Sequence, residues 1–521
     1  MISRSTNFCL IFLVRTLALG LAIMPMAQAE IRVSEVALNI EVDDKEITKP
    51  KVELLFAKPA RLGEGFEAFG LYAVATDHKN SRRRALLSYS FTQDGWKPEW
   101  QQMLDTDVAL LQLSQDSEQR LPPRLLGYAN GAIVELDTDS RQFVARLDVP
   151  TIYRSDASEL TSDVSVAQDI TGDGLVDVLV PDFSGWQFAA QKPGGGFAPP
   201  QHFGPEPVMG MGSKRYVFFT AFEPYTFDHN RDGLLDVGFW KDSAMRVYHQ
   251  GEDGIFSEQP VLFSPGIDIF SDAFFSLTVG EDADNPTGRQ AILDGIEDLN
   301  GDSLPDLLVY SITGDSLFGK ETTYEIHRGI ETVEGTLEFE AAPSSVVGSG
   351  GIQIDVDRQD LDGDGQMEMI ITSFKLGLGS IVRGLLSRSA NLDLSIYRLE
   401  DGSYPNKPNV KRRITAKLDL SKGEVFVPAV VAGDVDGDGL KDLLVQNGDD
   451  ELKIFPGTGT EALFKKSPVN LDIALPLSSG KINALDIDAD GDDDLLVQFP
   501  GDAETGSSPR VVAVMFDAEF K

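Results

Sequence analysis

The sequence predicts an all-β protein, a β-propeller of eight four-stranded antiparallel blades, with seven blades as the alternative. Three features support this prediction. A nine-residue acidic motif occurs six times, and its copies start roughly 50 to 75 residues apart, a scale that indicates a solenoid, a propeller or an array. A short apolar run typical of a buried strand follows each copy. Glycine-rich turns with an aromatic residue come next in four units, so one unit holds about the four strands of a propeller blade.

The first 29 residues have the features of a secretory signal peptide. Arg4 and Arg15 are their only charges, residues 17–24 are apolar, and residues 27–29 (AQA) form a small-residue cleavage site. We therefore expect export to the periplasm or out of the cell. The alternative, an uncleaved membrane anchor, is less favoured because Arg15 leaves an apolar run too short to span a bilayer.

Cysteine and charge content limit the chemistry of the mature chain. The one cysteine, Cys9, lies in the predicted signal peptide, so the mature protein would offer neither disulfides nor thiolate catalysis nor thiolate metal ligands. The chain has 83 acidic and 45 basic residues and a formal net charge of −38. Because this charge repels phosphates, nucleic acid is a poor partner, and divalent cations or basic partners fit better.

Residues 30–521 are expected to form a single propeller domain. Its first part, 30–160, would hold degenerate blades that lack acidic motifs. Residues 110–136 look like a unit whose acidic loop has decayed. Four β-rich runs upstream of it would form another blade: 52–57, 69–75, 85–91 and 99–104.

The six acidic motifs lie in residues 161–521 and share one pattern. Acids or other oxygen-bearing residues occupy positions 1, 3 and 5, glycine usually occupies position 6, and an acid occupies position 9. Glycine at position 6 permits a sharp turn that a β-carbon would resist. The copies are DITGDGLVD (169–177), DHNRDGLLD (228–236), DLNGDSLPD (298–306), DLDGDGQME (360–368), DVDGDGLKD (434–442) and DIDADGDDD (486–494).

Carboxylates crowded in this way indicate a hard cation. Calcium takes six to eight oxygen ligands in flexible geometry, and side chains at positions 1, 3 and 5 would point into one concave loop. Position 7 can offer a backbone carbonyl, and the acid at position 9 would close the shell, so up to six Ca²⁺ ions are expected. The predicted metal ligands are Asp169, Thr171, Asp173, Leu175, Asp177, Asp228, Asn230, Asp232, Leu234, Asp236, Asp298, Asn300, Asp302, Leu304, Asp306, Asp360, Asp362, Asp364, Gln366, Glu368, Asp434, Asp436, Asp438, Leu440, Asp442, Asp486, Asp488, Asp490, Asp492 and Asp494.

Two other interpretations of the motif are less favourable. An EF-hand needs a bidentate glutamate at position 12 and flanking helices, and magnesium prefers stricter octahedral geometry. We expect weaker calcium binding in the first three loops, where position 3 is not an acid, and the weakest in 298–306, where Ser303 replaces glycine. Position 12 is apolar in every copy, which excludes the EF-hand: Val180, Phe239, Val309, Ile371, Val445 and Val497.

The repeats resemble those of the FG-GAP/VCBS family, which builds calcium-binding propellers such as the integrin α head. The motif, the strand after it and the glycine-rich turn carry this resemblance, which is strong over residues 160–500. It implies a calcium-stabilised propeller that serves recognition. It also implies a ring closed by pairing an N-terminal strand with the last blade, for which residues 31–42 are the candidate.

The expected function is a non-enzymatic binding or adhesion scaffold, with an unidentified protein or polysaccharide at the cell envelope or outside the cell as its partner. A structural part of an envelope assembly is a second hypothesis. The enzymatic alternative is a polysaccharide lyase, for which Tyr225, His229 and Arg231 are the candidates, although His229 is expected to be an exposed loop residue. Four tryptophans would either stack on sugars or pack within blades: Trp96, Trp100, Trp186 and Trp240.

Residues 374–391 depart from the repeat. Their charges are all basic, and their apolar residues recur at helical spacing. We expect a helical insertion packed over the propeller. The alternative is a docking helix for a partner or for a membrane surface.

Overall fold

The computed structural model describes most of the 521-residue chain. The predicted signal peptide and residues 376–386 of the predicted helical insertion lie outside the described residues. Within the described ranges, no helix could span a lipid bilayer. These ranges are 31–38, 52–62, 68–77, 80–105, 107–114, 124–153, 160, 164–211, 217–269, 289–314, 320–375, 387–419, 424–477, 481–501 and 508–516.

In the described part of the chain, the strands form eight antiparallel blades and two separate hairpins. Seven blades have four strands and one has a fifth. Neighbouring strands of a blade are mostly consecutive in sequence, as expected when short turns join antiparallel strands. The prediction of an eight-bladed all-β propeller is confirmed.

Strands are numbered in chain order from β1 (Ile31–Ala37), which belongs to the last blade. Blade 1 comprises β2 (Val52–Leu62), β3 (Ala68–Asp77), β4 (Asn80–Thr92) and β5 (Gly95–Leu104). Blade 2 comprises β6 (Val108–Ser114), β7 (Arg124–Ala129), β8 (Ala132–Asp137) and β9 (Gln142–Asp148). Blade 3 comprises β10 (Ala167–Gln168), β11 (Asp177–Pro181), β12 (Trp186–Ala189) and β13 (Gln201–Phe203). A hairpin of β14 (Val208–Met211) and β15 (Val217–Thr220) precedes blade 4, which comprises β16 (Pro224–Phe227), β17 (Asp236–Lys241), β18 (Ala244–Tyr248) and β19 (Val261–Phe263).

The second half of the ring follows the same plan. Blade 5 comprises β20 (Gln290–Glu297), β21 (Asp306–Thr313), β22 (Glu321–His327) and β25 (Ser345–Gly348), with a hairpin of β23 (Gly329–Glu331) and β24 (Leu337–Phe339) inserted. Blade 6 comprises β26 (Ile352–Gln359), β27 (Glu368–Phe374), β28 (Ser389–Tyr397), β29 (Val410–Asp419) and β30 (Glu424–Phe426). Blade 7 comprises β31 (Val430–Gly433), β32 (Asp442–Gln446), β33 (Glu451–Phe455) and β34 (Val469–Asp472). Blade 8 comprises β35 (Ile482–Leu485), β36 (Asp494–Phe499), β37 (Arg510–Phe516) and β1.

The ring closes through β1. Every residue of this strand pairs antiparallel with β37, from Ile31 opposite Phe516 to Ala37 opposite Arg510. Blade 8 therefore takes three strands from the end of the chain and one from its start. The pairing lies within 31–42, the segment that the sequence analysis gives as the closing strand.

The apolar cores lie between blades. Alternate residues of a strand point to opposite faces of its sheet, and each face of a blade meets a neighbouring blade. Eight clusters of buried residues result in the described chain, each with members from two consecutive blades. One of them joins Leu496 of blade 8 to Leu71 of blade 1, so apolar packing is continuous around the ring.

The predicted limits of the helical insertion are wrong at both ends. Phe374 is the last residue of β27, and residues 389–391 belong to β28. Phe374 pairs with Ile352 and Asn391 pairs with Thr415. The hydrogen-bonded ladders of blade 6 therefore extend into both ends of the segment.

Candidate metal centres

The six acidic loops occupy the same place in their blades. Each loop joins the first strand of a blade to the second, and position 9 is the first residue of that second strand. Loop 169–177 lies in blade 3 and loop 486–494 in blade 8, so the loops belong to six consecutive blades. The motif and its apolar run therefore mark one structural turn, repeated around the ring.

Each loop turns through two residues in the left-handed region of backbone conformation, at positions 4 and 6. Loop 434–442 uses Gly437 (φ 67°) and Gly439 (φ 87°). Residues with side chains adopt this conformation at three of these positions: Arg231, Ser303 and Ala489. The motif pattern predicts a glycine requirement at position 6 only, although glycine at position 4 in four copies is the signal for the second requirement.

Ala489→Gly is expected to raise the free energy of unfolding by about 0.5–1 kcal/mol. A β-carbon in the left-handed region costs roughly 1–2 kcal/mol, and the greater freedom of glycine in the unfolded chain offsets part of the gain. Gly491→Ala is the matched reverse change in the same loop, because its φ is 102° and a β-carbon there would meet no atom within 4 Å. Denaturant unfolding should show opposite signs for the two variants, and equal signs would contradict the explanation.

The carboxylates at positions 1 and 5 hold the backbone of their own loop. Asp360 accepts hydrogen bonds from the N–H groups of Gly363 (2.8 Å) and Gly365 (3.0 Å), and Asp364 accepts one from Gln366 (2.9 Å). The other loops repeat this pattern in whole or in part. An ionised carboxylate has about four acceptor sites, so these groups keep capacity for a cation.

The acid at position 9 is at most 2% exposed in all six loops. We call it the clasp, because in most of the loops its carboxylate accepts hydrogen bonds from two separate segments of the blade. In blade 7, Asp442 Oδ2 accepts from the N–H of Val435 (3.2 Å) and Oδ1 accepts from the N–H of Gly457 (2.7 Å). The clasp therefore joins the loop to the chain just beyond the third strand, β33. The same two-point contact occurs at Asp177, Asp236 and Asp494.

Burial weakens the acidity of these clasps. It raises the pKa of Asp306 to about 6 and the pKa values of Glu368, Asp442 and Asp494 to about 7, and neighbouring loop carboxylates raise them further. A bound cation would act in the opposite direction, because a nearby positive charge favours the ionised form. In these loops, both burial and repulsion between neighbouring carboxylates therefore disfavour the ionised form of the position-9 acid.

Neighbouring loops are hydrogen-bonded to one another along one rim of the ring. The N–H group at position 8 of a loop donates to the carbonyl at position 2 of the preceding loop, as Met367 does to Leu299 (2.8 Å) and Lys441 to Leu361 (3.2 Å). The N–H of Asp493 links the last two loops by donating to the carbonyl of Asp434, and the side chain of Gln250, just beyond β18, donates to the carbonyl of Thr171 in the first loop (3.4 Å). The six loops form one continuous surface, which we call the acidic arc.

The carbonyl at position 2 of the second loop has a different donor. Position 8 of loop 298–306 is Pro305, which has no N–H group. The N–H of Leu337, in the hairpin inserted into blade 5, donates to the carbonyl of His229 instead (2.8 Å). The inserted hairpin therefore supplies the donor that the proline lacks, and Arg231 joins the second loop to the third by donating to the carbonyl of Ser303 (3.2 Å).

Carboxylate oxygens converge in three loops of the arc, with the ligand atoms of each group within 4.8 Å of one another. These are the loops with acids at positions 1, 3, 5 and 9, for which the sequence predicts the strongest binding. In two of the other loops, the residue at position 3 donates to an acid of the same loop: Thr171 Oγ1 to Asp177 (3.0 Å) and Asn230 Nδ2 to Asp232 (2.8 Å). The convergent groups are Asp360, Asp362 and Glu368; Asp434, Asp436 and Asp438; and Asp486, Asp488 and Asp494.

Loop 360–368 fits a hard divalent cation best. Among the described residues, Oε1 of Glu368 is buried without a hydrogen-bond donor, and the carboxylate of Asp362 is buried beside it in the same convergent group. Glu368 is one methylene longer than the aspartates at position 9 elsewhere. Its Oε2 holds the N–H of Leu361 (2.8 Å), while Oε1 remains for the loop. The nearest positive charge is Arg398, whose Nη2 lies 2.8 Å from Asp362 Oδ2.

The expectation that His229 lies exposed on its loop is wrong. His229 is 6% exposed, and its ring centroid lies 5.4 Å from that of Phe263. Burial, with a smaller effect from His249, lowers the pKa of His229 to about 4. Position 2 is a core position in every loop, and the other five residues there are apolar and at most 2% exposed: Ile170, Leu299, Leu361, Val435 and Ile487.

The three residues considered for lyase chemistry have separate partners. Burial raises the pKa of Tyr225 well above its ordinary value, which makes its hydroxyl a poor base. That hydroxyl donates to the carbonyl of Leu293 (3.0 Å), Arg231 donates to the carbonyl of Ser303 (3.2 Å), and Nδ1 of His229 faces Nε2 of His249 (3.0 Å).

The four tryptophans pack within the blades. Trp186 and Trp240 are 5% and 3% exposed. The ring centroid of Trp96 lies 5.1 Å from that of Phe91, and the ring centroid of Trp100 lies 6.2 Å from that of Tyr72. Packing between strands, rather than sugar stacking, accounts for these side chains.

His327 gives the fold a dependence on pH. It is 2% exposed, and its Nδ1 is 2.8 Å from the carbonyl of Glu340. Burial lowers the pKa of His327 even though Glu325 lies 4.0 Å away. The unfolded chain therefore takes up a proton near the ordinary histidine pKa of about 6.5, while the folded protein keeps the ring neutral.

The stabilisation by neutral His327 is present above that pH and is lost as the pH falls. Between about pH 7 and pH 5, the free energy of unfolding of the wild type should therefore fall more steeply than that of His327→Gln. Denaturant unfolding at several pH values measures this difference in slope. Parallel pH profiles for the two proteins would contradict the assignment.

The comparisons with known proteins concern the repeat and the fold. Residues 434–497 match the model of the FG-GAP-like repeat, so the resemblance inferred from the motifs is confirmed for that segment. A search of curated proteins gives no match.

Solved structures match the chain only at low similarity. A structure of a lectin from Agrocybe aegerita that recognises non-reducing terminal N-acetylglucosamine is 11% identical, with 82% of this chain and 92% of that chain covered and a TM-score of 0.39. The biofilm matrix protein Bap1 of V. cholerae is 12% identical, with coverages of 94% and 91% and a TM-score of 0.32. At these values the likeness does not extend to ligand or activity.

Proposed function

We propose that this protein, whose residues 434–497 are an FG-GAP-like repeat, is a calcium-stabilised propeller that acts as a non-enzymatic binding or adhesion scaffold outside the cytoplasm. The observation that carries the proposal is the convergence of carboxylate oxygens in three adjacent loops of the acidic arc. Oxygen-only ligand sets select hard cations, and flexible loops of this kind suit calcium better than magnesium. Up to six ions would bind, most tightly in loops 360–368, 434–442 and 486–494.

Calcium would supply positive charge where carboxylates crowd. The acids at positions 1, 3 and 5 would hold the ion, joined in loops 360–368 and 486–494 by the acid at position 9, which also keeps the loop attached to its blade. Position 7 keeps its N–H on the carboxylate of position 5, as Leu440 does on Asp438 (2.9 Å), which leaves its carbonyl for the ion. The hydrogen bonds that hold the loop therefore leave its oxygen ligands available for the ion.

Export fits this assignment. The predicted signal peptide at 1–29 would send the chain to a compartment where extracellular calcium modules work at Kd values of about 10⁻⁴–10⁻³ M. The linked loops would then stiffen six of the eight blades, and a stiff scaffold is suited to presenting surface residues to a protein or polysaccharide partner. The lyase alternative is less favoured, because its three candidate residues each bond to a different partner.

A calcium titration of the metal-stripped protein by isothermal calorimetry tests the first part of the proposal. We expect at least three sites, and Asp362→Asn should remove one of them. Binding of the calcium-loaded and calcium-free forms to immobilised envelope polysaccharides and envelope proteins tests the second part. Absence of calcium binding, or release of unsaturated products from uronate polysaccharides, would overturn the assignment.

A further inference from the structure

A different kind of ligand set lies in blade 4. Nδ1 of His229 is 3.0 Å from Nε2 of His249, and that Nε2 is 3.9 Å from Oδ2 of Asp236. The three atoms lie within 4.8 Å of one another. We propose that His229, His249 and Asp236 bind a divalent transition metal ion, with Zn²⁺ as the first choice.

Three segments of the blade bring these side chains together. His229 is at position 2 of the acidic loop, Asp236 is the first residue of β17, and His249 follows the last residue of β18. The backbone fixes the carboxylate, because Oδ2 accepts from the N–H of His229 (3.0 Å) and Oδ1 accepts from the N–H of Gln250 (2.9 Å). Asp236 is therefore oriented before any ion arrives.

The donor atoms favour a transition metal over calcium. Imidazole nitrogen suits Zn²⁺, Cu²⁺ and Ni²⁺, whereas calcium takes oxygen ligands. Zinc binds nitrogen and carboxylate oxygen at about 2.0–2.2 Å in tetrahedral geometry, which puts neighbouring ligand atoms roughly 3.3–3.5 Å apart. The distances of 3.0 Å and 3.9 Å bracket this value, so small side-chain rotations would complete the set.

The rest of the loop is poorly suited to calcium. Position 3 is Asn230, whose amide nitrogen donates to Asp232 (2.8 Å). Position 4 is Arg231, whose Nη1 lies 4.0 Å from Asp228 Oδ2. A cation between the imidazoles would use other atoms. Asp236 would then serve the transition metal.

The surroundings also resemble those of a metal site. Phe227 and Phe263 flank the ring of His229 and provide an apolar shell, which tunes a metal and limits solvent access. The side chain of His249 is 27% exposed, so an ion and a water molecule can reach the open side. Binding needs both facing nitrogens free of protons, and the proton of the present hydrogen bond would move to the far nitrogen of its own ring. Three protein ligands would leave one position for water.

The test uses the full-length, metal-stripped protein in millimolar calcium, titrated with Zn²⁺ against a chromophoric chelator and, separately, with Co²⁺. The variants are His249→Gln, which changes the more exposed ligand, and His229→Gln. His202→Gln is the matched control, because Nε2 of His202 lies 3.7 Å from Asp182 Oδ1 in a pair without a second imidazole. Circular dichroism verifies that each variant is folded.

We expect one Zn²⁺ site in the wild type that calcium does not displace, and intense visible absorption from tetrahedral Co²⁺. His249→Gln should weaken Zn²⁺ binding at least tenfold and abolish the cobalt absorption, while His202→Gln leaves both unchanged. Equal Zn²⁺ affinity in the wild type and His249→Gln, or displacement of Zn²⁺ by calcium, would overturn the proposal. The result does not depend on whether the other loops bind calcium.

Discussion

Excess chelator is expected to lower the melting temperature by about 4 °C or more. At a free calcium concentration ten times Kd, one site contributes about 1.4 kcal/mol, so the three convergent loops together contribute about 4 kcal/mol. The entropy of unfolding is about 2.1 cal/mol/K per residue. For a chain of this length, a loss of 1 kcal/mol therefore lowers the melting temperature by about 1 °C. Calorimetric scans in calcium and in chelator measure the shift.

Asp362→Asn identifies the loops as the source of that shift. The change removes one ligand charge from loop 360–368 and should reduce the calcium-dependent shift by about a third, since three loops share it. Glu338→Gln is the control, because Glu338 is an exposed acid on β24 outside the acidic arc. A melting curve that chelator leaves unchanged would refute structural calcium.

Asp442→Ala is expected to lower the free energy of unfolding by about 3 kcal/mol or more, even without calcium. The change leaves the buried N–H groups of Val435 and Gly457 without their acceptor, and each unsatisfied buried group costs about 1–3 kcal/mol. Urea denaturation in chelator measures the loss. Asp472→Ala, an exposed acid on β34 of the same blade, should change stability by less than about 0.5 kcal/mol.

This experiment distinguishes a structural role of the Asp442 carboxylate from a role as a metal ligand. If Asp442 acted only as a metal ligand, Asp442→Ala would destabilise the protein in calcium and leave it unchanged in chelator. A loss in both conditions means that the carboxylate joins the strands of blade 7 by itself. The same reasoning applies to Asp494, which holds the N–H groups of Ile487 and Phe516 (3.0 and 3.1 Å) in blade 8.

The repeat made most of the fold predictable. Every acidic motif marks the turn between the first and second strands of a blade, so the motif predicts both the turn and the strand that begins at position 9. The β-rich runs at 52–57 and 99–104 were enough to place β2 and β5 without any motif. Alternating apolar residues with turns between them carry that information locally.

The contacts that the sequence did not reveal depend on how strands align with one another. His249 belongs to no motif, and it meets His229 only because β17 and β18 pair antiparallel with Val237 opposite Tyr248. The burial of His229 follows from its place at position 2, where Ile170 and Leu299 are buried in other loops. The apolar residues at position 2 of the other five copies are a signal in the sequence that could have predicted it.

Closure by β1 makes the order of synthesis matter for folding. Ile31 is made early, yet its partner Phe516 follows roughly 480 residues later, which takes on the order of 25–100 s at ordinary translation rates. Throughout that time the apolar face of blade 1 around Leu71 lacks its neighbour. Nascent chains with uncovered apolar surface aggregate readily, so the incomplete ring is the state that a chaperone must protect. A cut between β1 and blade 1 would turn closure into an encounter between two chains.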